Sequence, residues 1–529
     1  MVRLLIACLV ALPVLAQEAA KPAQPADSKA FMAAVALKEA DKKLAALDQF
    51  IEDFPSSNRV EPARREIIAA AVKLKPADAV TRTRAMAKGL SSSSAAELHR
   101  FLAVELLDAN QLLKEAERSA KTALKRLAEE DSAARARKDA EELKRPAPTE
   151  AQVRSRFASQ RAQMQETLGR VLLARGNNGQ AKKVFTAALR DNPTLSTAAM
   201  SLGDIQSKAG KPKEALNYYA QGMLARPSPE SRARFSEAWK KVHGSVQGEP
   251  EFLDERYKAI FPNPLHATPY QKTAARSGRL VLAEVYTGAG CGPCVAADLA
   301  FEAALERYGR AELAVVMYHE HIPRPDPMSN ADTVARWKFQ AGRGVPTYAI
   351  DGIAPPGGGG PREYAGEVES RIRPMIEKGL ETAPGASLTL SAANDGREVV
   401  ARAGVSNVTK PSPDLVLHIA LVEKELRYSG ENGIRFHPMV VRSLSSFPLG
   451  EAKEKSETQT FNLAAVAAAL NQHLVDFEKH DERHNKDGKF RFMEHLSSID
   501  AADLAVVALV QDAKSKAILQ AAWADAPRR

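Results

Sequence analysis

Cysteine is scarce: three residues in a chain of 529, of which Cys8 lies in an N-terminal apolar run and Cys291 and Cys294 form one close pair. A single pair with two residues between its members excludes the stapling framework that holds small secreted domains together. No later apolar run is both long enough and uncharged enough to span a bilayer, which takes about 20 residues. The net charge of +9 is spread along the chain. There is no dense Lys/Arg block and no interleaving of basic with aromatic residues, so the marks of a nucleic-acid binder are missing. A basic surface of this kind favours acidic partners or anionic envelope surfaces. What is present is ordinary globular composition, 44% hydrophobic and 26% charged, in a length that predicts three or four domains.

Met1-Val2-Arg3 followed by apolar Leu4 to Ala16 has the short basic start, hydrophobic stretch and small-residue end of a secretory signal, with cleavage expected after Ala16. The expectation is a periplasmic or secreted protein with no transmembrane segment. Leu5-Ile6-Ala7-Cys8 looks like a lipoprotein acylation site, but almost no hydrophobic segment precedes it. Residues 17–27, rich in Ala, Pro and Gln, suit a flexible linker.

From residue 28 to about 245, apolar residues recur at three- and four-residue spacing, predicting successive amphipathic helices. Breaks are expected at Phe54-Pro55-Ser56-Ser57, Ser91 to Ser94 and Arg145-Pro146-Ala147-Pro148. A 34-residue repeat pairs Leu168-Gly169 with Leu202-Gly203, Gly176 with Gly210, Ala181 with Ala215, Phe185 with Tyr219, and Pro193 with Pro227. This resembles the tetratricopeptide repeat, in which small residues let two helices approach and aromatic ones fill the seam. The resemblance implies that the region recruits a protein partner; a plain spacer is the alternative. Only two copies match well, so divergent hairpins upstream, such as Phe101 to Leu127, must complete the array.

At residues 262–382 helix periodicity gives way to α/β alternation. Leu280 to Tyr286 reads as a buried strand, Thr287-Gly288-Ala289-Gly290 as a loop, and Cys291-Gly292-Pro293-Cys294 opens an amphipathic run to Tyr308. Leu313 to Tyr318 is a second strand. A helix begins near Ser329-Asn330, Gly344-Val345-Pro346-Thr347 leads into a third strand, Gly357 to Gly360 is a flexible loop, and a helix spans about Arg362 to Leu380. At a helix start, Cys291 sits near backbone N–H groups without intrahelical partners, and these favour thiolate over thiol. Such a thiolate attacks a substrate disulfide and is released by the second thiol, so Cys291 is the expected nucleophile and Cys294 the resolving group. Pro293 is tolerated because its missing N–H has no partner there.

The dithiol between strand and helix, with Gly344-Val345-Pro346-Thr347 about fifty residues on, resembles the thioredoxin superfamily. The resemblance implies a cis-Pro346 facing the disulfide and a substrate groove lined by Val345, Pro346 and Thr347, with Gly292 and Pro293 beside it. It also implies that Glu284 is the buried carboxylate that takes a proton from the resolving thiol, although one extra residue separates it from the motif. A salt-bridged or solvated Glu284 is the alternative. Gly290 stands where typical members have tryptophan.

Residues 383–526 are expected to form a β-sandwich, with strands at Leu388 to Ala392, Val399 to Val405, Leu415 to Val422, Leu504 to Val510 and Ala517 to Ala522, and a helical insertion at Leu463 to Glu482. Glu284 to Gly288 and the tail segment His437 to Arg442 look like a branch of exported thioredoxin-like proteins joined to such a sandwich. The expected fold is therefore an all-α tetratricopeptide-like region, an α/β thioredoxin-like domain and a C-terminal mainly-β sandwich.

The function this implies is thiol–disulfide exchange on exported protein substrates through mixed disulfides, with no cofactor and no metal. Alternatives are a scaffold with a structural disulfide, or a zinc or copper site built from Cys291, Cys294, His319 and His321. His480 and His484 lie four apart but among Asp481, Glu482 and Arg483, which suggests an exposed charged face. A peroxidase is disfavoured, because Thr287 stands four residues before Cys291 rather than three and Gly-Pro suits disulfide exchange.

Overall fold

The computed structural model describes residues 25–142, 146–355, 358–486 and 488–528. The expected signal peptide, its cleavage point after Ala16, most of the 17–27 linker, Arg145 and Gly357 lie outside the described residues. Two compact units divide the chain, residues 1–128 and residues 129–529. The helical region expected at 28–245 is thus shared between them.

In the first unit the described helices are α1 (Ala26–Ala36), α2 (Ala40–Asp53), α3 (Val60–Leu74), α4 (Pro76–Met86), α5 (Ser92–Asp108) and α6 (Leu113–Arg126). Phe31, Leu47, Phe50, Ala63 and Ile67 form the core of its first hairpins. The serine run expected as a break instead starts a helix: the Ser91 hydroxyl accepts from Ser94 N at 3.3 Å and caps α5. Serine at that position satisfies an amide that the helix leaves open.

The second unit opens with α7 (Glu129–Glu142), α8 (Glu150–Ala174), α9 (Asn178–Asp191), α10 (Ser196–Lys208), α11 (Pro212–Ala225), α12 (Pro229–His243) and α13 (Glu249–Ile260). The repeat has a steric origin. A Cβ on Gly169 would lie 2.6 Å from the Phe185 ring, and one on Gly203 would lie 2.4 Å from Tyr219, so glycine admits the aromatic ring of the facing helix at the same place in both hairpins. Gly176 and Gly210 turn the hairpins at φ +77° and +73°, in the left-handed region where glycine carries no Cβ penalty. The two hairpins thus repeat one packing at the 34-residue interval seen in the sequence.

The sheet-rich part holds β1 (Val281–Thr287), α14 (Cys294–Arg307), β2 (Leu313–His319), α15 (Ala331–Phe339), β3 (Thr347–Ile350), α16 (Ala365–Glu381), β4 (Ser387–Asn394), β5 (Glu398–Ser406), β6 (Leu415–Arg427), β7 (Phe436–Pro448), β8 (Lys455–Asn462), α17 (Leu463–His480), β9 (Leu504–Asp512) and β10 (Ile518–Asp525). A seven-stranded sheet runs β10-β9-β6-β7-β2-β1-β3, and β4-β5-β8 form a second, antiparallel sheet. β1 and β2 are parallel, and β7 joins β2 in parallel at Met317 and Val440.

This differs from a separate C-terminal sandwich. The second sheet does pack face to face with β6 and β9, through Val399, Ala401, Leu417, Ile419, Val506 and Ala508. However, β6, β7, β9 and β10 also extend the sheet that carries β1 and β2, sharing one core that includes Leu282, Tyr286, Tyr318, Ala420, Val441 and Val507. With both faces covered, β6 is buried from Leu417 to Glu423 and β9 from Leu504 to Gln511. β7 and β8 are additions to the expected strands. Pro438 and the serines of β7 obscure its pattern, and β8 is largely polar. The helical insertion appears as α17. Among the described residues no helix is long and apolar enough to cross a membrane.

Candidate functional site

β1 is an uninterrupted buried strand whose odd positions, Val281, Ala283 and Val285, pack with Ala296, Ala297, Ala300 and Phe301 of α14. Past Thr287 the chain turns through Gly288, where an added Cβ would lie 2.6 Å from the Ile322 carbonyl, and reaches Cys291. Cys291 and Cys294 are joined by a disulfide, with S–S 2.09 Å and Cα–Cα 5.3 Å, and Cys294 is the first residue of α14. The backbone carbonyl of Val345 lies 3.7 Å from the Cys291 sulfur. The Val345–Pro346 peptide is cis, and Thr347 begins β3.

The disulfide is covered. Cys291 is 1% and Cys294 0% exposed, while Gly292 and Pro293 between them are exposed. The amides expected to be open at the helix start are engaged: Cys294 N donates to Cys291 O, Val295 N to Gly292 O and Ala296 N to Gly360 O. From the other side, the loop between β6 and β7 clamps the motif. Asn432 N donates to Ala289 O at 2.9 Å, and its side-chain amide reaches Gly288 O and Cys291 O at 3.3 and 3.4 Å. Arg324 pairs with Glu431, and its side chain occupies the space a Cβ on Gly290 would need. C-terminal residues therefore build the surroundings of the disulfide, a feature that no pattern near the motif announces.

Glu284 is 0% exposed but lies on the opposite face of β1 from α14. Its carboxylate accepts from Arg336 Nε of α15 at 2.7 Å, from Gln340 at 3.2 Å and from the Tyr286 hydroxyl at 3.4 Å. Even positions of β1 face away from α14, so the Glu284 side chain points away from the cysteine helix and the sheet separates it from Cys294.

A different carboxylate occupies the cysteine side. Asp298, one helical turn after Cys294, is 6% exposed and accepts from the Thr287 hydroxyl at 2.8 Å. Burial raises it to about 7, against the Thr287 hydrogen bond and the nearby His319, which favour the anion. In the sequence it reads as one polar residue in an apolar helical run; its signal is the i, i+4 spacing from Cys294.

The histidines part company. His319 contacts Asp326 at 2.9 Å, and Asp326 also accepts from Ala289 N in the cysteine loop at 2.6 Å. His321 meets His473 of α17 at 3.3 Å and lies against the Phe477 ring. His484 pairs with Asp481, and His480 is exposed. Neither His319 nor His321 is joined to the cysteines, and among the described residues no group of three or more His, Cys, Asp or Glu is placed to hold a metal.

No protein-family model and no curated protein matches the chain. Among solved structures, HBP35 of Porphyromonas gingivalis is similar at 15% identity over 47% of this chain and 76% of that one, with a TM-score of 0.31. A thermophilic TPR protein of Thermus thermophilus is similar at 19% identity over 40% and 99%, with a TM-score of 0.26. Pseudomonas aeruginosa pilF is similar at 18% over 43% and 99%, with a TM-score of 0.25. At these scores the repeat is established by the chain's own glycine–aromatic contacts rather than by likeness.

Proposed function

We propose that this chain is an exported thiol–disulfide oxidoreductase of thioredoxin-like type, centred on residues 262–382, whose helical repeats recruit a protein partner. The observation that carries the reading is the closed Cys291–Cys294 pair at the first turn of α14, with the Val345 carbonyl against the Cys291 sulfur. After reduction, the positive end of the α14 dipole favours the Cys291 thiolate. This thiolate attacks a protein disulfide, and Cys294 resolves the mixed disulfide. Val345, Pro346 and Thr347, with the exposed Gly292 and Pro293, supply the rim on which an extended substrate segment docks. Glu284, tied to Arg336, has no part in the exchange.

A second reading is a binding scaffold with a structural disulfide, and the 1% exposure of Cys291 favours it. The two separate in one experiment. Cys294→Ser, expressed in its native envelope, should retain proteins bound covalently through Cys291, and wild-type protein should reduce insulin disulfides with a dithiol as electron donor. Absence of both trapped protein and insulin reduction leaves the scaffold. Loss of insulin reduction in Cys291→Ser, with the fold intact by circular dichroism, assigns the nucleophile.

A further inference from the structure

We propose that Asp298, not Glu284, accepts the proton of the Cys294 thiol during resolution of the mixed disulfide. The inference rests on the exchange reading above. Cys294 and Asp298 stand at i and i+4 of α14, a spacing that puts their Cβ atoms about 6 Å apart on one helix face. Side chains at that spacing can turn toward each other along the helix face.

The surroundings suit a proton acceptor. Asp298 lines a cavity with room for about one water, together with Leu299, Met317, His437 and Tyr257. Thr287 holds one of its oxygens, and Thr287 is the cross-strand neighbour of His319 in the β1–β2 register. The titratable groups around it are His319 of β2, Asp326 of the following loop, Glu302 of its own helix, Tyr257 of α13 and His437 of β7. A carboxyl raised to about 7 by burial releases and takes a proton near neutral pH, which an exposed aspartate does not.

The Cys291 thiolate has displaced one substrate sulfur and holds the other in a mixed disulfide. Asp298 carboxylate takes the Cys294 proton; the Cys294 thiolate bonds to the Cys291 sulfur; the bond between Cys291 and substrate breaks, and the substrate thiolate leaves and is protonated by water. Two electrons pass from the cysteine pair to the substrate disulfide, and a dithiol donor restores the pair. In the reverse direction the protonated Asp298 returns its proton to Cys294 as the disulfide opens.

The test uses the reduced full-length protein and 5,5′-dithiobis(2-nitrobenzoate) in stopped flow. The first thionitrobenzoate release reports attack by Cys291 and the second reports resolution by Cys294. For wild type, the second phase should rise with an inflection near pH 7, where Asp298 becomes anionic. Asp298→Asn should slow the second phase by about 100-fold, far more than the first, and abolish that inflection. Thr287→Val, which keeps the carboxylate but removes its hydrogen bond, should move the inflection to higher pH. A merely structural aspartate would slow both phases or neither and would leave the inflection in place, overturning the proposal. Absence of a first phase in wild type would instead overturn the exchange reading itself.

Discussion

In the hairpins α8/α9 and α10/α11 the decisive contacts join residues sixteen positions apart, Gly169 with Phe185 and Gly203 with Tyr219. In the sheet, Met317 meets Val440 and Leu417 meets Val510. Neutral small residues close the hairpins, whereas the sheet buries charge: Arg336 with Glu284, and Arg442 with Glu423. The first region stores its stability in repeated local packing. The second depends on a few pairings between distant segments, and each of these is costly to break.

Four changes should sharpen that contrast. The largest effect should come from Arg336→Ala, which leaves the Glu284 carboxylate buried and unpaired and is expected to destabilise by about 3–5 kcal/mol in urea unfolding. Replacing both partners together, Arg336→Met with Glu284→Gln, should recover most of that loss. If the single and double changes unfold at the same urea concentration, the pair is not what holds this face together.

Gly203→Val should follow, at about 1–3 kcal/mol, because its Cβ enters the Tyr219 ring and the hairpin must splay. Hydrogen exchange should localise the damage to α10 and α11, leaving β6 and β9 protected. Loosening that spread through the sheet would contradict the local character assigned to the repeat.

Acid should separate the two regions next. Burial lowers His321 to about 4 and His437 to about 3, from an ordinary value near 6.5. Depressed folded values mean that these groups support the fold fully above pH 6.5 and progressively less as pH falls toward 4, where the unfolded chain takes up protons first. Residues 150–225 contain no histidine. Hydrogen exchange corrected for intrinsic rates should therefore show β2 and β7 losing protection between pH 6.5 and 4.5 while α8 to α11 hold theirs. The smallest effect belongs to Glu230→Gln, which breaks an exposed i, i+4 pair with Arg234 and should shift stability by under about 0.5 kcal/mol.

The same contrast explains what was legible in the sequence. The period of the repeat, its glycine–aromatic pairs and the dithiol at a strand-to-helix junction are local patterns, so they could be read residue by residue. The partner of β2 could not, because nothing near Leu313 to His319 points to Val440. β7 hides behind Pro438, and the two-sided burial of β6 depends on strands and helices far along the chain. The carboxylate beside Cys294 is expected on β1, but Glu284 stands at an even position, on the face turned from α14. Asp298, within a helix whose other inward positions are alanine and phenylalanine, offers in the sequence only its i, i+4 spacing from Cys294; its burial and the Thr287 contact show its place.

The parallel junction of β2 with β7 also sets a timetable. A chain emerging from its N-terminus can close each helical hairpin as soon as its second helix appears, but β7, the outer neighbour of β2, arrives only after residue 440 has been made. Until then β2 lacks its outer neighbour and the cysteine loop lacks the Asn432 clamp. The surroundings of the disulfide are thus completed late, by a part of the chain that follows it by more than a hundred residues.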